Sequence, residues 1–173
     1  VSKPLGFGAM MVKAGEADLM VAGVSHPTRR VIEAAGACIG LADGISIPSS
    51  FFFMNFADRA PLIFADCAVN VDPSPSELAD IAISTAINAE RLLGVPAKVA
   101  LLSFSTKGSA SHSRVNKVQQ ALDIAGERAP ELNIDGELQV DSALIPSVAA
   151  QKVKGSSTVA GEANVLIFPD LDA

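Results

Sequence analysis

A mainly parallel, open α/β sheet with helices on both faces is the fold class the sequence predicts, on three observations. Apolar runs of strand length alternate with helix-patterned segments along the chain. Several of those runs are apolar at consecutive positions, as strands buried on both faces are. Hydrophobic residues make up 49% of the 173 residues and charged ones 18%, which supplies a sizeable core.

Each element has its own signal. Residues 5–15 (L-G-F-G-A-M-M-V-K-A-G) read as a helix stopped by Gly15. Asp18 to Val24 is a continuous apolar run and reads as a buried strand; Thr28 to Cys38 follows as a helix after the turn S-H-P-T. Ser50–Phe56 and Leu62–Val69 read as strands joined by A-D-R-A-P, a connection short enough to permit antiparallel pairing within the otherwise parallel sheet. Ser74, Pro75 and Glu77 have the spacing of a capping box with proline at the first helical position, so a helix runs from there to Leu93 and ends at Gly94 before Pro96. Lys98–Phe104 is a strand. From Ser113 to Ala125, Val115, Val118, Leu122 and Ala125 fall on one helical face. Ile134–Val140 is a strand around Asp135-Gly136, a helical segment follows Asp141 with Pro146 starting or kinking it, and Asn164–Phe168 is the last strand.

Bulk properties exclude several functions. The net charge is −6 with both signs spread along the chain, which argues against a nucleic-acid partner. No apolar run reaches the roughly 18 residues of a membrane span, and the opening V-S-K-P-L-G-F-G lacks the basic-then-apolar pattern of a secretory leader. Cys38 and Cys67 provide neither a disulfide framework nor metal-ligand spacing, so a reducing cytoplasm and no metal are expected. A first residue Val1 and a last stretch F-P-D-L-D-A read as the ends of a fragment.

In open α/β sheets ligands sit beyond the carboxyl ends of strands. The polar loops there are S-H-P-T-R-R (25–30), D-C-A-V-N-V-D-P-S-P (66–75), S-F-S-T-K-G-S (103–109) and V-D-S-A (140–143). In the third, Ser103, Ser105, Thr106 and Ser109, the amides around Gly108 and the charge of Lys107 have the chemistry to hold a phosphoryl group, without the spacing of a Walker loop. Ordinary turn and cap chemistry uses the same residue types. His26 is a candidate base or a structural histidine, while His112 reads as exposed at a helix start. Arg29 and Arg30 are candidate anion ligands or solvated charges. Asp66 and Asp141 end apolar strands and are candidates to orient a base or bind a cation, Asp141 also as a helix cap. Cys67 reads as a structural thiol.

Taken together, M-M-V-K-A-G-E-A-D with V-A-G-V-S-H (10–26), F-A-D-C-A-V-N-V-D-P-S (64–74), V-A-L-L-S-F-S-T-K-G-S-A (99–110), D-G-E-L-Q-V-D-S-A (135–143) and A-N-V-L-I-F-P-D-L (163–171) resemble the phosphate acetyltransferase and phosphate butyryltransferase family. The resemblance covers nearly the whole chain in order and spacing. It implies the reaction acetyl-CoA + phosphate ⇌ coenzyme A + acetyl phosphate, with coenzyme A a substrate and no cofactor or metal. It also implies two α/β domains, in a fold that isocitrate and isopropylmalate dehydrogenases share, with the active site in the cleft between them and usually a homodimer. Residues 1–48 are then the C-terminal portion of the first domain, and 49–173 the second, truncated after its last strand. Ser103, Ser105, Thr106, Lys107, Gly108 and Ser109 are expected around the acyl phosphate, with His26 and Thr28 lining the cleft and Arg29 or Arg30 holding an anion.

Two departures from the family pattern stand out. Glu33 occupies the place where the resemblance implies a substrate-binding arginine, and the D-L-S-R-G segment with its catalytic serine, arginine and nearby aspartate has no counterpart in this chain. No residue is therefore assigned as catalytic base. A non-catalytic module, binding acyl phosphate or mediating dimerisation, is the alternative. A dehydrogenase relative would need metal-binding aspartates on facing elements, and Asp66, Asp72 and Asp141 lack that spacing.

Overall fold

The computed structural model describes residues 3–173. They divide into two compact units, one ending at Pro48 and the other running from Ser49 to Ala173.

The first unit contains the helices α1 (Pro4–Ala14) and α2 (Thr28–Cys38), packed on each other. Gly15 closes α1 in the left-handed conformation, as a glycine does at low cost where a helix ends. Between them the expected strand Asp18–Val24 does not form. Its side chains lie in the open, Leu19 at 68%, Val21 at 91% and Val24 at 106% relative exposure. A strand needs neighbours for its backbone N–H and C=O groups, and the described residues of this unit offer no second strand.

The second unit carries the sheet. Its elements are β1 (Phe52–Met54), β2 (Leu62–Ala65), α3 (Pro75–Leu93), β3 (Lys98–Leu102), α4 (Ser113–Arg128), β4 (Asn133–Leu138), α5 (Val140–Leu144), α6 (Pro146–Lys152) and β5 (Val165–Ile167). The strand order is β1-β2-β5-β3-β4. Only β1 runs antiparallel, pairing with β2 through Phe53 opposite Ile63; β2, β5, β3 and β4 are parallel. The central strands are buried on both faces, which is why their sequences are continuously apolar.

Successive side chains on a strand point to opposite faces. On one face Ala100, Leu102, Leu138 and Leu166 pack with Ala143 of α5, Val159 and Ala163. On the other, Ile134 and Leu132 meet Ala79 and Ile83 of α3, Ala125 of α4 and Ala129 at its end. Helices thus cover both faces. The capping box of α3 is in place: Ser74 Oγ accepts from Glu77 N at 3.4 Å while Ser74 N donates to Glu77 Oε2 at 2.8 Å. Strand ends are shorter than the apolar runs suggest. Asp66 turns the chain out of β2, and Val140 already belongs to α5. Pro146 starts α6 rather than kinking a longer helix.

Candidate functional site at the carboxyl ends of the sheet

The loop Ser103–Ser109 leaves the carboxyl end of β3 and leads to α4. Its shape is fixed from the next strand. Ser103 N donates to Leu138 O at 2.9 Å and Lys107 N to Glu137 O at 3.0 Å. The Glu137 carboxylate, 2% exposed, accepts at Oε1 from Ser105 Oγ (2.8 Å) and Gly108 N (2.7 Å), and at Oε2 from Gln119 Nε2 of α4 (3.1 Å). Burial pushes the Glu137 carboxyl up. The bonds from the Gly108 amide, the Ser105 hydroxyl and the Gln119 side chain more than offset this, and the net direction is down, so the group is a carboxylate at neutral pH.

The hydroxyls expected as free donors divide into two sets. Ser105 and Thr106 are buried, and their oxygens are engaged within the protein. Ser105 Oγ donates to Glu137 and accepts from Ala110 N at 3.1 Å. Thr106 Oγ1 accepts from Gln139 N at 2.9 Å and lies 3.3 Å from both Gln139 Oε1 and Ser142 Oγ. In this structure these two hydroxyls hold the loop and are not aimed at a ligand. Thr106→Val keeps the shape and strands the Gln139 amide, so it is expected to lower stability by about 1–3 kcal/mol, read from urea denaturation.

Ser103, half-buried, accepts at Oγ from Ser105 N (3.2 Å), while Ser109 is exposed. Ser103 borders a hollow of about 550 Å³ that also touches Phe104, Arg114, Gln139, Val140 and Phe168. Arg114, in the first turn of α4, donates from Nη1 to Asp170 Oδ2 at 3.0 Å and is otherwise open to solvent. Arg114 and Gln139 border the hollow and Glu137 supports the loop, and sequence reasoning singled out none of them. Arg114 sits one residue past Ser113, the first residue of a predicted helix beside the loop, and that adjacency was the available signal.

The other candidates fall as follows. Lys107 pairs with Asp135 and donates to Gly136 O at 2.7 Å, so its charge is already met. His26, Thr28, Arg29 and Arg30 lie together and exposed at the start of α2 in the first unit. There Glu33 takes Arg29 Nε at 2.8 Å and approaches Arg30 Nη1 at 3.7 Å, so the departure at position 33 is compensated within its own helix. His112 is exposed and caps α4, its Nδ1 accepting from Arg114 N at 3.2 Å.

Asp66 is consumed by its turn, where Ser50, Asn70 and three backbone amides donate to it. It has no capacity left to orient a base. Asp141 lies in α5, whose cap is Gln139, and pairs with Lys152 at 2.8 Å. That correction to the expected Asp141 cap follows from the helix starting two residues earlier, at Val140. Burial, and then the Asp66 charge, push the Cys67 thiol up, which keeps it protonated and a poor nucleophile. Among the described residues no group of three His, Cys, Asp or Glu side chains is placed to hold a metal ion.

With this geometry in view, the comparisons with known proteins are decisive. The family model described as Phosphate acetyl/butaryl transferase matches residues 1–173. The chain belongs to this family. The phosphate acetyltransferase of Thermoanaerobacterium thermosaccharolyticum is 51% identical over 172 residues, covering 96% of this chain and 52% of that protein. The phosphate acetyltransferase of Acetivibrio thermocellus is 47% identical, covering 100% of this chain and 53% of that protein. Among solved structures, a phosphotransacetylase from Streptococcus pyogenes superposes with a TM-score of 0.88 at 45% identity, over 96% of this chain and 50% of that one. The chain thus spans about half the length of these two phosphate acetyltransferases.

Proposed function

We propose that the protein is a phosphate acyltransferase that exchanges coenzyme A and phosphate on an acetyl group, with the carboxyl-end rim of the second unit's sheet forming part of its site. One observation carries the reading beyond family membership. A loop rich in hydroxyls and amides is pinned from beneath by Glu137, beside an apolar hollow bordered by Ser103, Gln139 and Arg114. Acyl exchange passes through a tetrahedral oxyanion. Such a charge is stabilised by donors that are fixed before the reaction begins, because reorganising them would forfeit the gain.

In this reading the thiolate sulfur of coenzyme A attacks the carbonyl carbon of acetyl phosphate, and the oxyanion collapses with loss of phosphate. Arg114 offers charge to the phosphate by exchanging its partner Asp170 for the ligand, and the Ser103 and Ser109 hydroxyls face the acyl phosphate. Ser105, Thr106 and Gly108 hold the loop's shape. The hollow takes the apolar part of the thioester. His26, Thr28, Arg29 and Arg30 of the first unit are proposed as further substrate contacts across an interdomain cleft, in a cytoplasmic homodimer. Equilibrium sedimentation would reveal the dimer.

A second reading, a non-catalytic acyl-phosphate-binding or dimerisation module, draws on the ion pairs that neutralise the candidate cations: Glu33 with Arg29 and Arg30, and Asp135 with Lys107. One assay separates the two. The polypeptide, expressed at its full encoded length, is mixed with acetyl-CoA and phosphate, and free thiol is followed. Release that requires phosphate is expected. Its absence from folded protein defeats the enzyme reading and leaves the module.

A further inference from the structure

We propose that Glu137 is the positioning residue of the acyl-transfer loop, a buried carboxylate on β4 that holds Ser105 to Ser109 in the shape the reaction needs. This rests on the acyltransferase reading and assigns a role to a side chain that reaches no substrate.

The loop carries two consecutive residues in the left-handed region, Lys107 at φ 47° and Gly108 at φ 79°. For lysine that conformation is strained relative to the right-handed one. Such a backbone persists only where its surroundings over-determine it. Here one residue supplies restraints within the strained pair and just ahead of it. The Glu137 carbonyl receives Lys107 N, and its carboxylate receives Gly108 N, inside the pair, and Ser105 Oγ, two residues before it. A single oxygen, Oε1, takes the last two, so moving it moves both ends of the turn.

The second oxygen is held by Gln119, on α4. The carboxylate is therefore clamped between the loop it positions and the helix that follows the loop. Ser105 in turn hands the restraint on: its Oγ accepts Ala110 N and lies 3.3 Å from Ser109 Oγ, which itself accepts Thr106 N at 3.0 Å. The Glu137 carboxylate at the centre of this set is buried, so the bonds it accepts are not replaced by water on substitution without a shift of the chain.

A purely structural glutamate and a positioning one predict different kinetics. A misplacement of about 1 Å remote from the chemistry lowers turnover roughly 100-fold. Substrate affinity set by the hollow and by Arg114 is not affected. The test uses the full-length enzyme, with kcat and KM for acetyl-CoA normalised to folded protein, and amide exchange at Gly108.

Glu137→Ala is expected to lower kcat about 100-fold with KM for acetyl-CoA nearly unchanged, and to speed exchange of the Gly108 amide. Glu137→Gln keeps a carbonyl acceptor for Ser105 and Gly108, and Gln119 can turn its own amide to accept from the new one, so kcat is expected to recover most of the loss. Wild-type kcat in folded Glu137→Ala overturns the proposal. Should that variant not fold, Glu137→Asp decides. One methylene shorter, it cannot reach Ser105 and Gly108 together, and a kcat equal to that of Glu137→Gln overturns the proposal. If the wild type shows no phosphate-dependent thiol release, the acyltransferase reading fails by itself, while unchanged Gly108 exchange in Glu137→Ala would show separately that Glu137 does not fix the loop.

Discussion

Asp66→Ala is expected to destabilise the second unit by about 3 kcal/mol, because one buried carboxylate organises the whole exit from β2. Asp66 is 2% exposed, and it accepts from Ala68 N (3.0 Å), Val69 N (3.2 Å), Asn70 N (3.0 Å), Asn70 Nδ2 and Ser50 Oγ. Hydrogen bonds to a charged acceptor contribute about 1.5–3 kcal/mol each. Ala68 is exposed and regains water when the acceptor is lost, so the sum is well short of five such bonds. The bond from Ser50 also ties the approach to β1 to the end of β2, and its loss loosens the antiparallel edge of the sheet.

The same carboxylate gives stability a pH dependence whose sign is fixed. Burial pushes the Asp66 carboxyl up, but the bonds from Ser50, Ala68 and Asn70 hold it below the usual aspartate range. An unfolded aspartate titrates near about 3.9. A folded value below that means the stabilisation is fully present above the unfolded value and is lost as pH falls through the folded one. Glu137 is displaced in the same direction and adds to the effect. Stability should therefore hold from neutrality down to about pH 5 and then fall, and Asp66→Asn should show a shallower fall. Urea denaturation at neutral and acidic pH measures this. Far-UV circular dichroism is the probe, since the chain has no Trp or Tyr. Equal acid sensitivity in wild type and Asp66→Asn would contradict it.

Local signals were legible in the sequence and remote ones were not. The capping box at Ser74 and Glu77 and the stops at Gly15 and Gly94 are settled within a turn of helix, and each is where the pattern placed it. The antiparallel edge was readable because a short connection reaches only an adjacent strand. Asp18–Val24 failed for the opposite reason: its apolar pattern states what the segment could bury, whereas a strand also requires a partner, which the described part of its unit lacks.

At the site, the loop Ser103–Ser109 was found from composition, but the direction of its hydroxyls was not. Ser105 turns to Glu137, 32 residues later, and Thr106 to Gln139 and Ser142, 33 and 36 residues later. Those partners are set by the parallel pairing of β3 with β4, a tertiary fact. Arg114 was passed over because nothing local distinguishes an arginine near a helix start from a solvated one.

Gly161→Ala is expected to cost about 2–5 kcal/mol, the sum of two separate penalties. Its φ of 82° is left-handed, which for alanine costs about 1–2 kcal/mol. A Cβ there would lie 2.7 Å from Pro146 Cα, 3.1 Å from Ala149 Cβ and 3.2 Å from Pro146 N. The first and last of these atoms are backbone at the start of α6, so no side-chain rotation relieves the overlap, and forcing a carbon into such a space costs about a further 1–3 kcal/mol. Withdrawal is blocked as well, since Gly161 N donates to Ser142 O at 2.8 Å and Ala163 N to Ala143 O at 3.0 Å, fastening this turn to α5. Gly94 supplies the comparison. It has φ 68° at the end of α3, and a Cβ there meets nothing within 4 Å, so Gly94→Ala carries the backbone penalty alone. Denaturation of both variants therefore separates conformational strain from overlap. A Gly161→Ala loss no larger than that of Gly94→Ala would show that α6 yields at Pro146, and that the packing of α5 and α6 against the sheet is softer than the contacts imply.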